Sequence, residues 1–132
     1  MALQLSDAVR NAMADSYEST IGASPTLEMR TGASPANCAA ADSGTLLMSI
    51  SLPADWLSAA SSGSKSKLGT WTSTGVAAGT LGHYRIKQGA TCHEQGTVTL
   101  SGGGGDMTVD NTSVGVGQTV TVTSFTRSMP GA

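Results

Sequence analysis

Charge is what this sequence most lacks. Only 12% of its 132 residues are Asp, Glu, Lys or Arg, about half the share usual in soluble domains. Disorder would need a high net charge together with low hydrophobicity. Hydrophobic residues make up 39%, however, and the formal net charge is only -2, so the chain carries enough apolar content for one core. The scarce charge therefore reads as a surface that packs against neighbours. The seven Lys and Arg residues form no cluster: Lys65, Lys67, Arg85 and Lys87 stand scattered among Ser and Thr. A phosphate backbone is bound by several basic groups on one face, so no nucleic-acid partner is expected. Aromatics are also few, at 4%, which argues against a row of rings for stacking bases or sugars. Trp56 and Trp71 are expected to fill the core instead.

Other absences narrow the class further. No apolar run approaches the ~20 residues needed to cross a bilayer, so no membrane partner is expected. The opening MALQLSDAVRNAMADSYE carries charges where the apolar part of a secretory signal would lie, so synthesis in a cytoplasm is expected. Two cysteines, Cys38 and Cys92, are too few for a disulfide framework, and both are expected to be buried or indifferent thiols.

What is present is a strand-rich pattern behind one helix. Ser6 is a good N-cap and Asp7 a good first-turn residue, and Gly22 supplies a stop with Pro25 shortly after. A helix is expected over residues 6–20, with Val9, Met13, Tyr17 and Ile21 as its apolar stripe and Ala8 and Ala12 alongside. That stripe is expected to cover an open end of the domain. The sharper alternative is that the helix, or Met1 to Leu5 before it, reaches a neighbouring subunit. After Gly22 the period falls to two. TLEMRTG, TLLMSISL, LGTWT, GHYRIK, CHEQGTVTL, DMTVDN and the final stretch from Gln118 to Arg127 read as strands, with VTVTSFT the strongest signal. GASPANCAAADSG and SSGSKS read as loops, Gly102 to Gly105 as a floppy glycine hinge, and QGAT as a hairpin turn. One helix and about seven strands spaced near ten residues predict a single mainly-β domain over 1–132. Its strands, within 26–127, are expected to form an antiparallel β-sandwich or jelly roll.

Chemistry-bearing residues are present without motifs. His83, Cys92, His93 and Cys38 are the soft metal ligands, but no C-x-x-C or H-x-x-x-H spacing joins them. On a regular strand Cys92 and His93 face opposite ways, so a buried Cys92 is expected on one hairpin face and polar histidines on the other. Asp42, Asp55, Asp106 and Asp110 could orient a histidine base, yet no nucleophile elbow accompanies them. Glu18, Glu28 and Glu94 could join those aspartates in a carboxylate pair for glycosidic chemistry, but nothing places two together. SGGGGD lacks the ending of a phosphate loop, and Asp106, Asp110 and Asn111 do not follow a calcium-loop pattern. No catalytic residue, metal site or cofactor is expected.

The phrases TIGASPTLEMRTGASPANCAAADSGTLL, LPADW and GHYRIKQGATCHEQGTVTLSGGGGDMTVDNTSVGVGQTVTVTSFT span nearly the whole chain. They resemble a group of small proteins encoded among the virion structural genes of tailed bacteriophages and prophages. The resemblance implies a structural part of the virion, assembled in the bacterial host cytoplasm, and brings no functional residues with it. Short, even strands suit a compact capsid decoration or cement protein that contacts the major capsid protein as a symmetric homo-oligomer, with a trimer as the first guess. The alternatives are a tail component (tube, terminator or fibre attachment) and, from another class, a carbohydrate-binding module.

Overall fold

The computed structural model describes residues 3–132. Helix α1 runs Asp7–Ile21, capped by Ser6, whose side chain accepts from the Val9 amide, and closed by Gly22, whose amide bonds to the Glu18 carbonyl. Nine strands follow: β1 Thr26–Thr31, β2 Leu46–Ser51, β3 Ser64–Ser66, β4 Thr72–Thr74, β5 Gly79–Gln88, β6 Thr91–Leu100, β7 Met107–Val109, β8 Ser113–Val114 and β9 Thr119–Ser128. They form one sheet in the order β2-β1-β5-β6-β7-β9-β3, with β4 also on β9 and β8 also on β5. The sheet curls until its ends meet: the amide of Val76, just past β4, donates to Leu47 O on β2 at 2.8 Å. Inside the curl, Trp56, Trp71, Tyr84, Phe125, Leu27, Met29, Leu47 and Ile86 are all essentially inaccessible. The two tryptophans lie against Phe125 and each other, with ring centroids 5.2–6.3 Å apart.

The mainly-β class with one N-terminal helix is as expected, but the strands are nine and one pair is parallel. β6 and β7 run in the same direction, joined by only the short stretch from Ser101 to Asp106, where parallel neighbours ordinarily need a dozen residues or more. The glycines make this possible. A Cβ on Gly103 would stand 2.8 Å from Thr99 Cβ, and one on Gly105 2.8 Å from Thr99 Oγ1. The expected floppy hinge is thus a turn packed tightly over Thr99. The expected SSGSKS loop contains β3, whose pairing is supplied by β9 rather than by its own propensity. The expected LGTWT strand is displaced, β4 beginning only after Trp71.

The helix meets its expected apolar stripe only in its second half. Ile21 is buried in the core and half-buried Tyr17 packs against it, but Val9 is 47% exposed and Met13 half-buried, and Arg10 and Ala14 are covered in their place. Polar bonds dock it. Arg10 donates to Met129 O at 2.9 and 3.1 Å, Asn11 Oδ1 accepts from the Gly63 amide at 2.7 Å, and buried Lys65 donates to Asp15 and Glu18 at 2.8 and 2.7 Å. Leu5 N donates to Gly131 O at 2.8 Å, so the segment before α1 lies beside the one after β9. Met1 and Ala2, included in the expected reach to a neighbour, lie outside the described residues.

Candidate functional site

Strand β5 is buried on both faces, and its outer face carries the polar site. Tyr84 and Ile86 point into the core, while His83, Arg85 and Lys87 alternate with them and are also buried. What covers them is the strap from Gly32 to Thr45 that joins β1 to β2. Gly82 on β5 lets the strap lie close, since a Cβ there would come within 2.2 Å of Gly32 O. Side chains of the sheet donate and the strap accepts. His83 Nδ1 donates to Gly32 O at 2.9 Å, Gln95 Nε2 to Pro35 O at 2.7 Å, and Arg85 Nη2 to Cys38 O and Ala40 O at 2.9 and 3.1 Å.

Asp42 closes the strap onto the cations. Its carboxylate accepts from Arg85 Nη1 at 2.5 Å, Lys87 Nζ at 2.7 Å and Arg30 Nη2 at 3.3 Å. Glu28 holds Arg30 at 3.0 Å and Lys87 at 3.1 Å. Three cations thus face two carboxylates. The hydrogen bond from Lys87, helped by Arg85 and the neighbouring charges, holds the Asp42 carboxyl down at about 2.

The two cysteines meet at the edge of this layer as a disulfide, Cα atoms 5.2 Å apart across 54 residues of sequence. The expectation of indifferent thiols is therefore corrected. The cause is a bulge. Ile86 pairs with Glu94 but Lys87 pairs with Cys92, so His93 is the extra residue. Without it, alternation back from Gln95 would turn Cys92 inward; with it, Cys92 stands opposite Lys87 on the strap side. Cys92 and buried His83 consequently share the outer face, contrary to the expected division of the hairpin, while His93 is exposed at the bulge. Closing a loop of this length constrains the unfolded chain by about 4 kcal/mol in the chain-entropy picture. A cavity of about 640 Å³ opens between strap and hairpin, lined by both cysteines, Asp42, Arg85 and Lys87 among others.

On the inner face Glu94 anchors a second polar group. Its carboxylate accepts from Tyr17 and Tyr84 hydroxyls, each at 2.6 Å, and from Arg127 Nε and Nη2 at 2.7 and 2.5 Å. Arg127 Nη2 also bonds the Tyr84 hydroxyl, and its guanidinium carbon stands 4.0 Å from the Phe125 ring centroid. Burial, and then the Glu94 charge, push both phenols well above the ordinary tyrosine range. Helix, hairpin and final strand are tied together at one carboxylate.

The remaining candidates are spread apart. Asp106 accepts from Thr97, Asp110 from the Thr121 amide and Asn111 from the Ser113 amide, so these three residues bind strands and turns to one another. Among the described residues no group of three His, Cys, Asp or Glu could hold a metal ion. No described helix is long and apolar enough to cross a membrane. Neither histidine lines the cavity that Asp42 enters. Comparison with protein-family models, curated proteins and solved structures returns no match.

Proposed function

We propose that this protein is a structural component of a bacteriophage virion, and specifically a capsid decoration protein that docks on the major capsid protein. The observation that carries this reading is where its charge goes. All seven Lys and Arg side chains are buried or half-buried, and each is held by an internal partner. The outer strands present Ser and Thr instead, already bonded in cross-strand pairs such as Ser64–Ser128, Ser66–Thr126 and Thr72–Thr121. Removing such a surface from water costs far less than removing unpaired charge, and the centres of lasting interfaces are poor in charged residues. A domain fastened by a disulfide and two buried polar groups also suits a part that must keep its shape while attached.

The resemblance to virion-encoded proteins supplies the setting. A sugar-binding row is disfavoured because Trp56 and Trp71 are both fully buried. The test is to image particles from a phage carrying or lacking this gene, with the purified protein added back. Extra density on the shell that disappears on deletion and returns on addition is expected. Density confined to the tail would refute decoration, and particles unchanged in composition would refute a virion role.

A further inference from the structure

The Cys38–Cys92 bridge combines two properties that a buried structural cross-link lacks. Both cysteines are half-buried and line the cavity beside the strap, so the route to the bridge does not pass through the core. Their proximity also has supports other than the bridge. The strap is pinned before Cys38 by Gln95 on Pro35 O, at Cys38 by Arg85 on its carbonyl, and after it by Arg85 and Lys87 on Asp42. None of those bonds uses a sulfur atom. Arg85 and Lys87 line the same cavity, and with Arg30 they outnumber Glu28 and Asp42 by three charges to two. An excess of positive charge favours a thiolate over a thiol, on an incoming reagent and on the cysteine it releases.

We infer that Cys38–Cys92 is a reversible redox site of the folded protein, reached through this cavity by a small anionic thiol. It cycles between bridge and thiol pair while the domain stays folded. In the forward direction the reagent thiolate attacks one cysteine sulfur, the S–S bond breaks, and the other cysteine leaves as a thiolate that takes up a proton. A second reagent thiolate then attacks the mixed disulfide, releasing the first cysteine, which is protonated in turn. Two electrons pass to the protein, two protons are taken up, and two reagent thiols end as one reagent disulfide. The strap is thereby changed from covalently latched to held by ion pairs and hydrogen bonds alone. The inference does not depend on the virion reading.

The experiment reduces the folded protein with glutathione at pH 8 over a series of urea concentrations below the unfolding transition. Thiols are trapped by alkylation and counted by mass, with circular dichroism followed in parallel. The expected result is a reduction rate flat in urea with the β signal retained. On transfer to oxidised glutathione the bridge should return at least ~10-fold faster than in the urea-unfolded chain, because pinned cysteines have a high effective concentration. Reduction that rises with urea in step with unfolding overturns the inference, as does re-pairing no faster than in the unfolded chain. Asp42→Asn should slow re-pairing several-fold with the circular dichroism unchanged, and a wild-type rate would overturn the role assigned to the pins.

Discussion

Replacing Glu94 with Ala should be among the most damaging single substitutions in the molecule. The carboxylate is 15% exposed and its partner Arg127 18%, so the pair is largely withdrawn from water. Removing one member of a buried ion pair typically costs 3–5 kcal/mol, because the other charge is left uncompensated. Some solvent reaches Arg127 and its guanidinium keeps the Phe125 face, which favours the lower half of that range. Against this, Tyr17 and Tyr84 lose a charged acceptor together, at roughly 1 kcal/mol or more each. The sum points to about 5–6 kcal/mol. For a chain of 132 residues, with an unfolding entropy near 2.1 cal/mol/K per residue, that is a fall in Tm of about 20 °C. Urea unfolding and calorimetry measure both quantities. The double variant Glu94→Leu, Arg127→Met separates the charge from the packing: it should be less destabilised than Glu94→Ala, since no unpaired charge remains. A loss below about 1 kcal/mol for Glu94→Ala, or a double variant worse than either single one, would refute the reasoning.

Three further outcomes follow from the same geometry. The Asp42 carboxyl is held at about 2 against an ordinary 3.8, so its contribution is complete above the ordinary value and is lost as pH falls toward 2. After allowance for solvent at this partly exposed group it is about 1 kcal/mol, and acid-unfolding curves of Asp42→Asn should lack it. Lys65→Met should loosen α1, raising amide exchange in the helix by roughly tenfold or more, because Asp15 and Glu18 lose their shared cation; unchanged exchange would count against polar docking. Gly103→Ala should cost about 1–3 kcal/mol in urea unfolding from its collision with Thr99, and a neutral result would mean that the crossover is looser than described.

The parts of the fold that were legible in the sequence are those set by neighbours along the chain. Ser6 and Gly22 bound the helix to within a residue because capping is local. The β5–β6 hairpin and β9 announce themselves through a turn and through β-branched alternation. What escaped depends on contacts between distant segments. Apolar spacing points to Val9 and Met13 as the helix's inner face, but Arg10, Asn11, Asp15 and Glu18 find their partners 47 to 119 residues away. A periodicity argument cannot anticipate bonds of that kind. The final strand shows the same limit on a smaller scale. Val120 and Val122 face the core as alternation requires, but the next core residue is Phe125, because a register shift lies opposite Thr108 and Val109. Thr123 and Ser124 both turn outward there, and each bonds the Thr108 hydroxyl, at 2.7 and 2.5 Å.

The candidate site was hidden for a related reason, and one residue accounts for much of it. In strict alternation a segment such as Cys92–His93–Glu94–Gln95 presents Cys92 and Glu94 to the same side. The bulge at His93 breaks that rule: Glu94 stays opposite Ile86 and joins the inner cluster, while Cys92 moves opposite Lys87 and meets the strap. A single inserted residue thereby serves both polar groups of the domain, one on each face of the sheet. It also explains why β5 tolerates charge on a face that is buried. Arg85 and Lys87 reach carbonyls and a carboxylate only where the strap is drawn down, and the disulfide that the bulge permits is one of the ties that draws it. The composition shows sparse charge, and the fold shows that its cations are bonded within the molecule. An outer surface of hydroxyls and small residues, left without free cations, follows from that internal use.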